Sequence, residues 1–77
     1  MVVNFVVCVQ KDNLGDVSGD DIHVGRLYEV VEMSAGHGMM RIIDESGDDY
    51  LYPEQCFEPV FLQEAAALRL SQVLPHN

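Results

Sequence analysis

Four carboxylates crowd around Gly47 in this chain, Asp44, Glu45, Asp48 and Asp49. Clustered carboxylates can hold a hard divalent cation in about six to eight oxygens. The spacing is not that of a calcium loop, which sets its carboxylates at alternating positions and closes on a bidentate Glu. Solvated turn charges are the expected role. The softer ligands His23, His37, Cys8 and Cys56, with His76 near the end, lie too far apart in sequence for a zinc knuckle. A thiolate at Cys8 or Cys56 would need a positioned His and an electropositive setting. The chain instead carries thirteen Asp and Glu against four Lys and Arg, a formal charge of −9. Ser18, Ser34, Ser46 and Ser71 stand in no nucleophile elbow and beside no base. Gly36-His37-Gly38 lacks the Lys-Ser/Thr continuation of a phosphate loop and reads as a turn. No catalytic residue, metal site or cofactor is expected.

The acidity repels phosphate backbones and anionic lipid, so direct nucleic-acid or membrane binding is not expected. Solubility is its ordinary consequence. The alternative is attraction to a basic protein, as an acidic inhibitor or an imitation of nucleic acid. Imitation calls for carboxylates spread along one face, whereas these gather at Asp20-Asp21 and from Asp44 to Asp49. The opening Met-Val-Val-Asn-Phe-Val-Val-Cys-Val has neither a preceding basic segment nor a small-residue cleavage site, and no apolar run approaches a membrane span. A cytoplasmic address is expected, in which two cysteines are reduced core residues more often than a bridge.

Elements that would position these residues can be read along the chain. Phe5 to Gln10 is a β-branched run, apolar on both sides, and predicts a strand covered on each face. Lys11 to Asp21 is a long polar loop. Ile22 to Val31 predicts a second strand that bends at Gly25, followed by a turn over Ser34 to Gly38. Met39 to Asp44 predicts a third strand, Glu45 to Asp48 a tight hairpin at Gly47, and Tyr50 to Tyr52 a fourth strand stopped by Pro53. Pro53 to Cys56 suits one helical turn, Phe57 to Val60 a short fifth strand with Pro59 marking an edge, and Phe61 to Leu74 a helix ended by Pro75.

The order strand, polar loop, Val-Gly-x-x-Tyr-x-Val, two hairpins and Leu-Tyr-Pro-x-x-x-Phe-x-Pro-Val resembles an SH3-like barrel. The run Ile43-Asp44-Glu45-Ser46-Gly47-Asp48-Asp49-Tyr50-Leu51-Tyr52-Pro53 is similar to the core of small bacterial and phage-borne SH3-like proteins of unknown function, and the likeness spans Phe5 to Val60. The resemblance implies an all-β, five-stranded SH3-like barrel over residues 1–60, with a short C-terminal helical tail over 61–77. A shared barrel transfers no activity. In eukaryotic SH3 domains an aromatic groove takes proline-rich peptides, and Pro53 falls where that groove has its proline. Here Cys56 stands in place of the groove tyrosine, the chain has no tryptophan, and the first strand lacks the paired tyrosines.

The tail offers more apolar surface than a barrel needs. At helical spacing Leu62, Ala66, Leu70, Val73 and Leu74 form one stripe, while Phe61, Ala65 and Leu68 lie on another side. A small barrel covers one such face, and the other is left for a partner unless Phe61 folds over the barrel mouth. The expectation is a non-catalytic interaction or accessory module that binds a protein partner or itself. Its contact residues would be Tyr28, Tyr50, Tyr52 and Pro53 on the barrel and Leu62, Leu68, Leu70, Val73 and Leu74 on the tail.

Overall fold

In a computed structural model, which describes residues 4–12, 14 and 19–75, the chain forms five strands and one helix. The strands are β1 (Asn4–Cys8), β2 (Leu27–Gly36), β3 (Met39–Ile43), β4 (Asp49–Pro53) and β5 (Phe57–Val60). A single 3-10 turn, Glu54–Cys56, joins β4 to β5, and the helix α1 spans Glu64–Val73. Asn13, Gly15 and Ser18 of the polar loop, and His76, lie outside the described residues. All strands belong to one antiparallel sheet in the order β4-β3-β2-β1-β5, with β4 and β5 at its two edges. The ladder is not closed between those edges.

The period of two in the strands decides what fills the core. Val6 lies opposite Tyr28, Val30 opposite Ile42, Met40 opposite Tyr52 and Cys8 opposite Phe57. These residues, with Val30 only partly buried, pack on one face together with Cys56 and with Ile22, which enters from the loop before β2. Phe57 meets Tyr28 and Tyr52 edge to face, with ring centroids 6.2 and 6.1 Å apart. Phe5 is also buried but lies outside this cluster, on the opposite face of β1. α1 is tied to that second face by the Ser71–Glu29 hydrogen bond, and β1 has buried residues on both sides, as its composition implies.

Three boundaries differ from expectation. Residues 22–26 do not extend β2, because the amide of Arg26 bonds to the carbonyl of His23 and Gly25, at φ 90°, closes a turn there. β2 instead continues to Gly36, and the turn contracts to His37 and Gly38, whose φ of 56° and 71° give the doubly left-handed geometry of a two-residue hairpin. The helix begins at Glu64 rather than Phe61, and its N-cap Gln63 makes no side-chain capping bond.

Hairpin β3–β4 turns over Asp44 to Gly47, closed by the Gly47 amide on the Asp44 carbonyl at 3.0 Å. Gly47 is buried at φ 89°, a conformation that a Cβ penalises. Gly47→Ala is expected to lower the urea-unfolding free energy by about 1–3 kcal/mol, with the slope of the transition unchanged.

Candidate functional site

The carboxylates around Gly47 divide into interior and exterior groups. Asp44 is 1% exposed, the one buried charged residue among those described. Its Oδ1 accepts the Ser46 amide at 2.9 Å and the Ser46 hydroxyl, and its Oδ2 accepts the Tyr52 hydroxyl at 2.7 Å. The expectation that all four carboxylates are solvated turn charges is therefore corrected at Asp44. Asp48 and Asp49 are exposed, and Asp49 meets Arg41 at 3.4 Å.

Glu45 is the second node. Its Oε2 accepts the Tyr28 hydroxyl at 2.7 Å and a bond from His23 Nδ1, while Arg26 reaches Oε1 at 3.6 Å. The His23 amide donates to the same Tyr28 oxygen at 2.6 Å, so the turn before β2 is tied to the β3–β4 hairpin through one phenol. Burial alone would raise the Glu45 carboxyl. The bonds from His23 and Tyr28 and the neighbouring His23 and Arg26 outweigh it, holding the carboxyl below the usual range. Tyr28 and Tyr52 are pushed well above the ordinary phenol range, first by burial and then by their carboxylate partners. Cys8 and Cys56 are free, buried thiols raised mainly by burial, which lowers their reactivity.

The sheet residues assigned to partner contact separate on exposure. Tyr28 and Tyr52 are 3% and 2% exposed, so their rings belong to the core and offer no contact area. Tyr50 is half exposed and Pro53 half buried. Tyr50 lines a hollow of about 520 Å³ with Asp21, Arg41, Ser46 and Leu51. Cys56, where a groove tyrosine would stand, faces the core.

On the tail, α1 docks through a stripe that shares Leu70 and Leu74 with the one the spacing suggested but is centred on Ala67. Ala67 is its one buried residue, with Leu70, Ser71 and Leu74 half buried at the following turns. The Ser71 hydroxyl donates to Glu29, which lies opposite Phe5 in the β1–β2 ladder. Leu62, Leu68 and Val73 are left 39%, 39% and 76% exposed, and Phe61 is 94% exposed and covers nothing. Leu62, Ala66, Arg69, Leu70 and Val73 form, with Leu27 of β2, a second hollow of about 620 Å³.

Sequence reasoning missed the His23–Tyr28–Glu45 node, whose members are far apart in the chain, and the docking role of Ala67 and Ser71. No helix among the described residues is long and apolar enough to cross a membrane.

Tyr52→Phe strips Asp44 Oδ2 of its buried donor and is expected to cost about 1.5–3 kcal/mol in chemical denaturation. Glu45 titrates in the opposite sense to a raised group. Its folded-state value is lowered, so its contribution is complete above the ordinary carboxylate range and is lost as pH falls through that range toward the lowered value. Measured between about pH 7 and about pH 3, the stability gap between the wild type and Glu45→Gln is therefore expected to narrow on acidification.

Comparisons with protein-family models, with curated proteins and with solved structures find no match to this chain.

Proposed function

We propose that the chain is a non-catalytic interaction module, an SH3-like barrel related to the small bacterial and phage-borne proteins of that type, that binds a protein partner or itself through the outward side of α1. The barrel reading is supported by β1 lying between β2 and β5 and by the 3-10 turn that carries β4 into β5. The observation that carries the interaction reading is the exposure of Phe61, in the segment before α1, and of Val73, its last residue, at 94% and 76%. Together with Leu62 and Leu68 they leave large apolar groups facing water on a domain whose remaining surface is rich in carboxylates. Contiguous apolar surface marks interfaces, and Leu62 and Val73 line one hollow. Of the tyrosines, Tyr50 has area to add.

The test is affinity capture from the cell of origin with the full chain and with a Phe61→Ser, Val73→Asp variant, which keeps Ala67 and the docking of α1. The expected result is loss of the captured proteins, the chain's own copies included, while the circular dichroism spectrum is unchanged. Capture of the same proteins by both would overturn the assignment of this surface.

A further inference from the structure

We infer that the free edge of β4 is a docking site for an extended, basic peptide segment of a partner protein, which adds to the sheet as a further strand. The inference goes beyond the α1 surface and does not depend on it.

The two edges of the sheet are not alike. In an antiparallel ladder every second residue of an edge strand turns its amide and carbonyl away from the neighbouring strand. Because the Val9 amide bonds to the Cys56 carbonyl, the next bonded pairs on β5 are Val7 with Glu58 and Phe5 with Val60, which leaves Phe57 and Pro59 facing outward. The Phe57 amide is taken by the Glu54 carbonyl and Pro59 has none, so β5 presents no donor to an incoming strand. On β4 the bonds from the Asp44 amide to the Asp48 carbonyl and from the Glu54 amide to the Gly38 carbonyl make Ile42 with Tyr50 and Met40 with Tyr52 the bonded pairs. The amides of Asp49 and Leu51, and the carbonyls of Asp49, Leu51 and Pro53, therefore face outward. Neither amide has another backbone partner among the described residues. A row of open donors and acceptors is what an added strand pairs with.

Space lies beside that row. The hollow of about 520 Å³ is lined by Tyr50, Leu51 and Tyr52 together. Consecutive strand residues point to opposite faces, so a hollow that touches all three lies at a strand edge, and the other edge of β4 is occupied by β3. At ordinary sheet spacings a strand takes up about 160 Å³ per residue, which gives room for about three residues of an added strand. Charge identifies the occupant. Asp21 and Asp44 line the hollow and the exposed Asp48, Asp49 and Glu54 flank the edge, while Arg41, the cation of the hollow, already meets Glu32 and Asp49. A second copy of β4 would lay these carboxylates against their own kind, whereas a strand with Lys or Arg at alternate positions is attracted. The half-exposed ring of Tyr50 offers such a cation an aromatic face.

Amide magnetic resonance spectra of the isotope-labelled full chain, recorded while a blocked hexapeptide of alternating Lys and Val is added, test the site. Saturable shifts centred on Asp49 and Leu51 are expected, with a dissociation constant on the order of 0.1–1 mM that weakens at least about tenfold in about 0.5 M sodium chloride. Hydrogen exchange at those two amides should slow at least about tenfold at saturation. A hexapeptide of alternating Glu and Val should not bind. Leu51→Pro removes an outward donor and no ladder bond, as Pro59 does on β5, and should abolish binding with the circular dichroism spectrum unchanged. The Phe61→Ser, Val73→Asp variant should bind the peptide as the wild type does, which separates this site from the α1 surface. No saturable shift, shifts centred away from β4, equal binding of the acidic peptide, or a folded Leu51→Pro variant that binds as before would each overturn the assignment. If Leu51→Pro does not fold, exchange in the wild type decides, because a peptide held by charge alone leaves the Asp49 and Leu51 amides exchanging at their free rate.

Discussion

A carboxyl group withdrawn from water loses its hydration, at a cost of about 2–7 kcal/mol for a polar group left without hydrogen bonds, and this fold answers at Asp44 with three of them. Those bonds organise more than a turn. Oδ1 holds Ser46 by both its amide and its hydroxyl, which sets the corner that Gly47 completes in the left-handed region. The corner fixes the register of β4 against β3, and that register turns Tyr52 inward opposite Met40. Oδ2 then receives the Tyr52 hydroxyl, and the ring of Tyr52 meets the edge of Phe57. Phe57 belongs to β5 and Tyr52 to β4, so the two edges of the open sheet, which share no backbone ladder, meet through side chains over the core.

Glu45 repeats the device half-way to solvent. Its carboxylate gathers a phenol, an imidazole and a guanidinium, and thereby ties the turn at 22–26 to the same hairpin. Ile22, fully buried, rides on that turn as the plug of the core. The acidic hairpin is thus partly internal scaffolding, and its exterior carboxylates are fewer than the sequence implies. The second face of the sheet is treated differently. Phe5 is buried there, and α1 is tied to that face by a hydrogen bond from Ser71 to Glu29, the residue opposite Phe5. With Ala67 as its one buried residue, the helix leaves its larger side chains half buried or exposed. Phe61, Leu62, Leu68 and Val73 stay exposed as a result.

Much of this was legible in the chain. Pro53 ends β4 and leads into the 3-10 turn, Gly47 marks the β3–β4 corner, and the apolar residues on both sides of the β1 run mark a strand with buried residues on each face. These are local signals, since each follows from a residue's own backbone or from a period of two. The rest depended on who meets whom. Asp44 looks like any turn aspartate until Tyr52 is placed eight residues on, and His23, Tyr28 and Glu45 share no spacing rule. On α1, ranking by hydrophobicity favoured the leucines, of which Leu70 and Leu74 are half buried, whereas the one fully buried position is Ala67 and a hydrogen bond engages Ser71. Of the tyrosines, only Tyr50 kept an exposed face, because the other two have carboxylates inside the domain to receive their hydroxyls.

Native-state amide hydrogen exchange at Ser46 tests the Asp44 scaffold most directly. That residue is exposed, yet its amide donates to a buried carboxylate. The account predicts protection close to that of the core amides of β3, reaching the free energy of global unfolding. Exchange at the rate of an open, solvated turn would contradict it.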